Sequence, residues 1–96
     1  MSKEQIIAAL RVTLPTVRQK YHVRRLALFG SAARGEQTEA SDIDLLVEFD
    51  EPIGFFDFMR LEASLADVLH AKVDLVSAKA LKPVIRDEVL RQAIYV

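Results

Sequence analysis

The sequence contains no cysteine, so the chain forms neither a disulfide nor a thiolate metal site. It also lacks any apolar run near the roughly 20 residues that a membrane-spanning helix needs. The first residues, Met1 to Gln5, are not followed by the apolar core of a signal peptide. We therefore expect a cytoplasmic protein that does not bind membranes.

An excess of charge of either sign is missing as well. Thirteen basic and fourteen acidic residues leave a net charge of −1, whereas domains that wrap duplex nucleic acid are usually basic. We therefore expect no direct binding to duplex nucleic acid. Apolar residues make up 51% of the chain and charged residues 28%, as in a soluble globule. Ninety-six residues are enough for one core and too few for two, which predicts a single domain over residues 1–96.

Apolar periodicity predicts helices and strands in alternation, separated by Pro and Gly. Helical spacing runs from a cap at Ser2 to the vicinity of Tyr21, and it returns twice later in the chain. The predicted strands cover residues 24–29, 42–49 and 73–76, and the later helices residues 55–69 and 83–94. This α-β-β-α-β-α order predicts an α/β (or α+β) fold with a small mixed three-stranded sheet and flanking helices.

Two aspartates on the second predicted strand suggest a metal site. Residues Asp42 and Asp44 alternate with Ile43, so they share one face with Cα atoms roughly 6.6 Å apart. Such a pair can converge on two metal ions about 3.5–4 Å apart. Asp74 supplies a third carboxylate from another strand, and oxygen ligands of this kind suit Mg²⁺ or Mn²⁺. An isolated Asp-x-Asp is more often a turn cap or a solvated pair, so the surrounding residues decide its meaning.

Those surroundings include a Gly-Ser turn after the first strand. Gly30 permits a sharp turn and the close approach of a phosphate, and Ser31 adds a hydroxyl donor at the start of a short helical turn. Arg34 is expected to add charge or to brace the loop, and Gly35 to end the turn in the left-handed conformation. Gly-Ser alone is a common turn. Its weight here comes from the ten residues that separate Ser31 from Asp42.

The stretch Gly-Ser-Ala-Ala-Arg-Gly at 30–35, together with Ser-Asp-Ile-Asp-Leu-Leu-Val at 41–47, resembles the nucleotidyltransferase superfamily of DNA polymerase β. More narrowly, the chain is similar to the minimal nucleotidyltransferases that act as antitoxins beside HEPN-domain toxins. The similarity continues through Asp74 to the closing helix. One departure is His70, which stands where such proteins often have glycine before the third strand.

The resemblance implies the polymerase-β-type core and the transfer of AMP from ATP onto a hydroxyl. Two Mg²⁺ ions, or Mn²⁺, would be held by Asp42 and Asp44, while Asp74 would bind one ion and assist deprotonation. The nucleotide would lie against four further residues of the motifs, namely Gly30, Ser31, Arg34 and Ser41. Members of the family modify a tyrosine of a partner HEPN toxin, an all-helical ribonuclease, and silence it.

Two other functions fit the same residues. One is an antitoxin that only occludes its partner and whose metal site is vestigial, although three intact acids argue against it. The other is a small-molecule nucleotidyltransferase of the antibiotic-modifying type, which the lack of an acceptor-binding domain disfavours.

The roles of two residues in the predicted helix 55–69 are left open. Its apolar stripe is expected to be mostly core and to consist of Phe55, Phe58, Met59, Leu61, Leu65 and Leu69. Phe56, at the margin of this stripe, is a candidate partner contact. Glu62 lies within the stripe, and either an arginine pair or a partner contact would explain it.

Overall fold

A computed structural model describes residues 1–38 and 40–96 of the chain. In these residues none of the helices is long and apolar enough to cross a membrane. The helices and strands follow in the order α1 (Lys3–Tyr21), β1 (Val23–Phe29), α2 (Gly30–Ala33), β2 (Ile43–Phe49), α3 (Phe55–Leu69), β3 (Val73–Ser77), a 3-10 turn (Ala78–Ala80), α4 (Pro83–Gln92) and β4 (Ile94–Tyr95).

The strands of the described part of the chain form one mixed sheet in the order β3-β2-β1-β4. Strand β1 pairs antiparallel with both β2 and β4, and β2 pairs parallel with β3. The predicted mixed α/β fold is confirmed, but the prediction of three strands was one short. The helix predicted over 83–94 ends at Gln92, and Ile94 pairs with Leu28 instead. A strand of two residues is too short to show alternation, so the sequence pattern missed it.

The two faces of the sheet are covered differently. Helices α1 and α3 pack on one face, where the inward side chains of β1 and β2, such as Leu28 and Leu45, are completely buried. Burying a side chain of this size stabilises the fold by about 1.5–3 kcal/mol. The other face holds a smaller cluster built on Ala27, Leu46 and Leu81, against which residues of α4 pack. Because neighbours on a strand alternate, Asp44 lies on this less covered face.

Helices α1 and α3 end on left-handed histidines. His22 has φ +59° and His70 has φ +51°, and each donates its backbone N–H to a carbonyl of the last helical turn. His70 therefore adopts the conformation for which glycine is preferred. The departure from the family pattern at this position leaves the turn into β3 in place, at a cost in backbone strain.

The start of α3 departs from the predicted apolar stripe. Leu61, Leu65 and Leu69 are buried as expected, but Phe55 is 71% exposed and Met59 is 45% exposed. The prediction that both are core was wrong. At 100° per residue, Met59 lies about 160° around the helix from Leu61, and so away from the sheet. Phe56, 73% exposed, packs edge-on against Phe55 with ring centroids 5.7 Å apart.

Candidate active site

Gly30 occupies the turn that joins β1 to α2. Its φ is +69°, a conformation that residues with a side chain rarely adopt. A β-carbon at this position would overlap the carboxylate of Asp44, and it would lie 3.1 Å from the Cγ atom of that residue. The turn therefore requires glycine for two independent reasons. Gly35, with φ +73°, ends the α2 turn as predicted.

Asp44 and Asp74 lie side by side at one end of the sheet. They are directly paired in the parallel register of β2 and β3, and Asp44 is also paired with Phe29, the residue before Gly30. Neighbouring strands are about 4.8 Å apart, so the two carboxylates leave the sheet as close neighbours. Asp42 precedes β2, which begins at Ile43. The predicted strand was thus one residue too long, and Asp42 approaches from the preceding loop.

The electrostatics of the site centre on Asp44. Burial raises the pKa of its carboxyl group above the ordinary value, and the nearby carboxylates of Asp74 and then Asp42 raise it further. Arg34 acts on this pKa in the opposite direction. Asp44 is half-buried, whereas Asp42 and Asp74 are exposed. The carboxylate of Asp44 is therefore close enough to those of Asp74 and Asp42 to be repelled by both in the protein without a bound cation.

This donor set suits a hard divalent cation. All three groups offer carboxylate oxygens, the ligands that Mg²⁺ and Mn²⁺ prefer. Within residues 1–38 and 40–96, no group of three or more acidic, histidine or cysteine side chains is arranged closely enough to hold a metal ion by itself. Catalytic Mg²⁺ is usually held by one or two carboxylates, waters and substrate phosphates rather than by protein side chains alone. The residues therefore fit a cation that arrives with a nucleotide.

The remaining predicted nucleotide-binding residues surround this end of the sheet. Ser31 is half-buried in the first turn of α2, and its backbone carbonyl accepts a hydrogen bond of 2.8 Å from the N–H of Glu36. Arg34 pairs with Glu36 through Nε at 3.0 Å and so braces the loop. Its positive charge also lowers the pKa of Asp44. Ser41 is engaged with Thr38: its hydroxyl accepts the backbone N–H of Thr38 at 3.1 Å. It supports the loop that leads to Asp42.

A groove of about 980 Å³ lies at the opposite end of the sheet, where β2 ends. Phe55 and Arg86 line it, together with an ion pair between Arg25 and Glu48 at 2.8 Å. The guanidinium of Arg25 also stacks on the ring of Tyr95, 4.7 Å from its centroid. Size alone would make this groove the leading candidate for a binding site. The acidic cluster and the left-handed Gly30 favour the other end.

Sequence reasoning left the role of Glu62 open, and the structure assigns it a contact. Its Oε2 atom accepts a hydrogen bond of 2.9 Å from the backbone N–H of Leu75 in β3. Neither of the expected partners, an arginine or a surface for another protein, is involved in this bond. A carboxylate inside an apolar helical stripe was the available signal, but its partner is a backbone group and leaves no mark in the sequence.

The fold and the site together define a nucleotidyltransferase. Residues 13–96 match the family model described as polymerase beta nucleotidyltransferase. The chain therefore belongs to the polymerase β nucleotidyltransferase family. The predicted polymerase-β-type core is thereby confirmed.

Individual relatives are similar to this chain over nearly its whole length. The chain is 38% identical over 96 residues to the protein adenylyltransferase MntA of Thermococcus cleftensis, covering 100% of this chain and 97% of that protein. A solved candidate minimal nucleotidyltransferase superposes with a TM-score of 0.85 at 40% identity, covering 98% of this chain and 95% of the other. A chain from the complex of a tri-AMPylated Shewanella oneidensis HEPN toxin with MNT antitoxin superposes with a TM-score of 0.61. It is 26% identical, and the match covers 97% of this chain and 66% of that one.

Proposed function

We propose that this protein transfers AMP from ATP to a tyrosine hydroxyl of a partner HEPN ribonuclease and thereby acts as its antitoxin. The observation that carries the proposal is the pairing of Asp44 with Asp74 beside the left-handed Gly30. Membership of the nucleotidyltransferase family supports the reaction class. The relative named protein adenylyltransferase supports a protein as the acceptor.

Different residues of the site would bind the metal ions and the phosphates of ATP. Asp42, Asp44 and Asp74 would hold Mg²⁺, which when bound neutralises triphosphate charge and favours ionisation of the attacking hydroxyl. Gly30 leaves room for phosphate beside Asp44, because any side chain at that position would occupy the space. Ser31 and Arg34 would contribute a hydroxyl donor and positive charge to the same phosphates.

The reaction follows from the chemistry of ATP. The acceptor oxygen attacks the α-phosphorus and forms a phosphodiester, while the bond from the α-phosphorus to the bridging oxygen of the β-phosphate breaks. Pyrophosphate leaves with that oxygen, and the hydroxyl proton passes to a base, the role proposed for Asp74. Orientation of the acceptor accounts for much of the rate in such transfers, so a free tyrosine should react poorly compared with a folded partner.

The identity of the acceptor rests on similarity. The superposed complex contains a HEPN toxin that carries AMP groups, bound to MNT antitoxin. We infer the same kind of partner for this chain. The exposed rings of Phe55 and Phe56 give it an apolar surface on which such a partner can dock.

Intact-mass spectrometry tests the proposal directly. The protein is mixed with ATP, Mg²⁺ and a HEPN protein encoded beside it. The HEPN protein is expected to gain whole AMP units on tyrosine and to lose its RNA-cleaving activity. Asp44→Asn should bind the partner equally well and add nothing. Asp67→Asn removes an exposed carboxylate on α3 that is not one of the predicted site residues; it is the matched control and should transfer as the wild type does.

The alternatives give different results in the same experiment. If Asp44→Asn silences the ribonuclease as completely as the wild type, occlusion replaces transfer as the mechanism. If label from ATP appears on an added antibiotic-type small molecule and never on protein, the acceptor class is wrong. The intact Asp42, Asp44 and Asp74 set favours the enzymatic result.

A further inference from the structure

Glu62 makes an unusual contact for a glutamate in the middle of a helix. It lies between the buried Leu61 and Leu65 side of α3 and the edge of the sheet, where it is half-buried. Its Oε2 atom accepts the backbone N–H of Leu75 at 2.9 Å. Among the described residues it takes part in no ion pair. A carboxylate bound to a single backbone amide therefore ties α3 to β3.

The tied amide belongs to the peptide unit that follows Asp74. The N–H of Ile43 binds the carbonyl of Lys72 at 2.9 Å, so Lys72 directs its backbone groups toward β2. The backbone N–H and C=O groups of successive residues alternate between the two sides of a strand. Those of Asp74 therefore also point toward β2, and those of Leu75 point to the free edge of the sheet. The peptide between Asp74 and Leu75 is thus held by β2 through its carbonyl and by Glu62 through its N–H.

We propose that Glu62 is a positioning residue that fixes Asp74 beside Asp44 for cation binding, a role that rests on the proposed function. Strand β3 is at the edge of the sheet and has one strand neighbour, β2. The carboxylates of Asp44 and Asp74 repel each other, which favours displacement of that edge. A charge-assisted hydrogen bond is roughly twice as strong as a neutral one, so Glu62 opposes the displacement at the adjacent peptide.

Backbone amide exchange of the metal-free protein, followed by NMR, tests the tie itself. Glu62→Ala should increase exchange at Leu75 about tenfold relative to neighbouring amides, because the half-buried acceptor of this N–H is lost. Glu62→Gln retains a neutral oxygen acceptor and should recover part of this protection. The control is Val17→Ala, a core truncation on α1 that lowers stability and should leave the relative protection of Leu75 unchanged.

Titration with Mn²⁺ in the presence of a non-hydrolysable ATP analogue tests the consequence. Changes to residues that orient metal ligands typically weaken affinity about 10–100-fold. Glu62→Ala should fall in this range, Glu62→Gln should lie between it and the wild type, and the control Val17→Ala should match the wild type.

Two results overturn the positioning role. One is unchanged Leu75 exchange in Glu62→Ala. The other is increased exchange with wild-type Mn²⁺ affinity. Glu62 would then protect the backbone of the edge strand without affecting the cation site. Both are independent of AMP transfer by the wild type, whose absence would refute the proposed function instead.

Discussion

Replacing Gly30 by alanine tests whether the turn serves the fold or the site. A residue with a β-carbon in the left-handed region costs about 1–2 kcal/mol. The reduced freedom of the unfolded chain returns about 0.4–1 kcal/mol of this. The new methyl group also overlaps the Asp44 carboxylate, but that carboxylate is the end of a side chain that can rotate away. We expect Gly30→Ala to lower the free energy of unfolding by about 1 kcal/mol, and Tm by about 4–8 °C.

The expected loss of function is much larger. Rotation of the Asp44 carboxylate would move a proposed cation ligand, and a misplacement of about 1 Å can cost a factor of about 100 in rate. Gly35→Ala is the matched control, since Gly35 has φ +73° and its added β-carbon would have no described atom within 4 Å. The two variants carry the same backbone strain and differ in the contact with Asp44.

Urea unfolding and AMP-transfer rates, measured on both variants, separate the two effects. Similar stability losses with a large rate loss in Gly30→Ala alone would support the site as described. Equal transfer rates in the two variants would refute the reasoning, because the overlap with Asp44 would then have no consequence.

Three further predictions concern charge, backbone and surface. In EDTA, the raised pKa of Asp44 penalises the folded state once the carboxyl is ionised, so stability falls as pH rises from the unfolded-state value near 3.9 through the higher folded-state pKa. Asp44→Asn should therefore be more stable than the wild type in thermal melts at pH 7, with the gap closing below about pH 4; a less stable variant at pH 7 would contradict this. His70→Gly should raise the free energy of unfolding in urea by about 0.5–1 kcal/mol by removing left-handed strain, and a decrease would show that the histidine ring contributes more than the strain costs. Phe56→Ser should weaken partner binding in calorimetry by about tenfold or more with an unchanged Tm, whereas unchanged affinity would place the interface elsewhere.

The sequence by itself determined the features that depend on local spacing. The alternation in Asp42–Phe49 identified a strand, and the order of elements predicted a mixed sheet with helices. The site motifs were also readable, because Gly30, Ser31 and the Asp-x-Asp pair lie close together in the chain. Left-handed geometry at Gly35 followed from a glycine placed directly after a short helical turn.

Tertiary structure decided the features that depend on which elements meet. The pairing of Asp44 with Asp74 is a matter of register between strands about thirty residues apart in sequence, which no local pattern specifies. Strand β4 forms because the edge of β1 is open to pairing, and two residues are too few to show an alternation of apolar and polar side chains. Phe55 carries an apolar signal but is exposed. Glu62 binds a backbone amide, a partner that every residue except proline can offer, so only the packing of α3 against β3 selects Leu75.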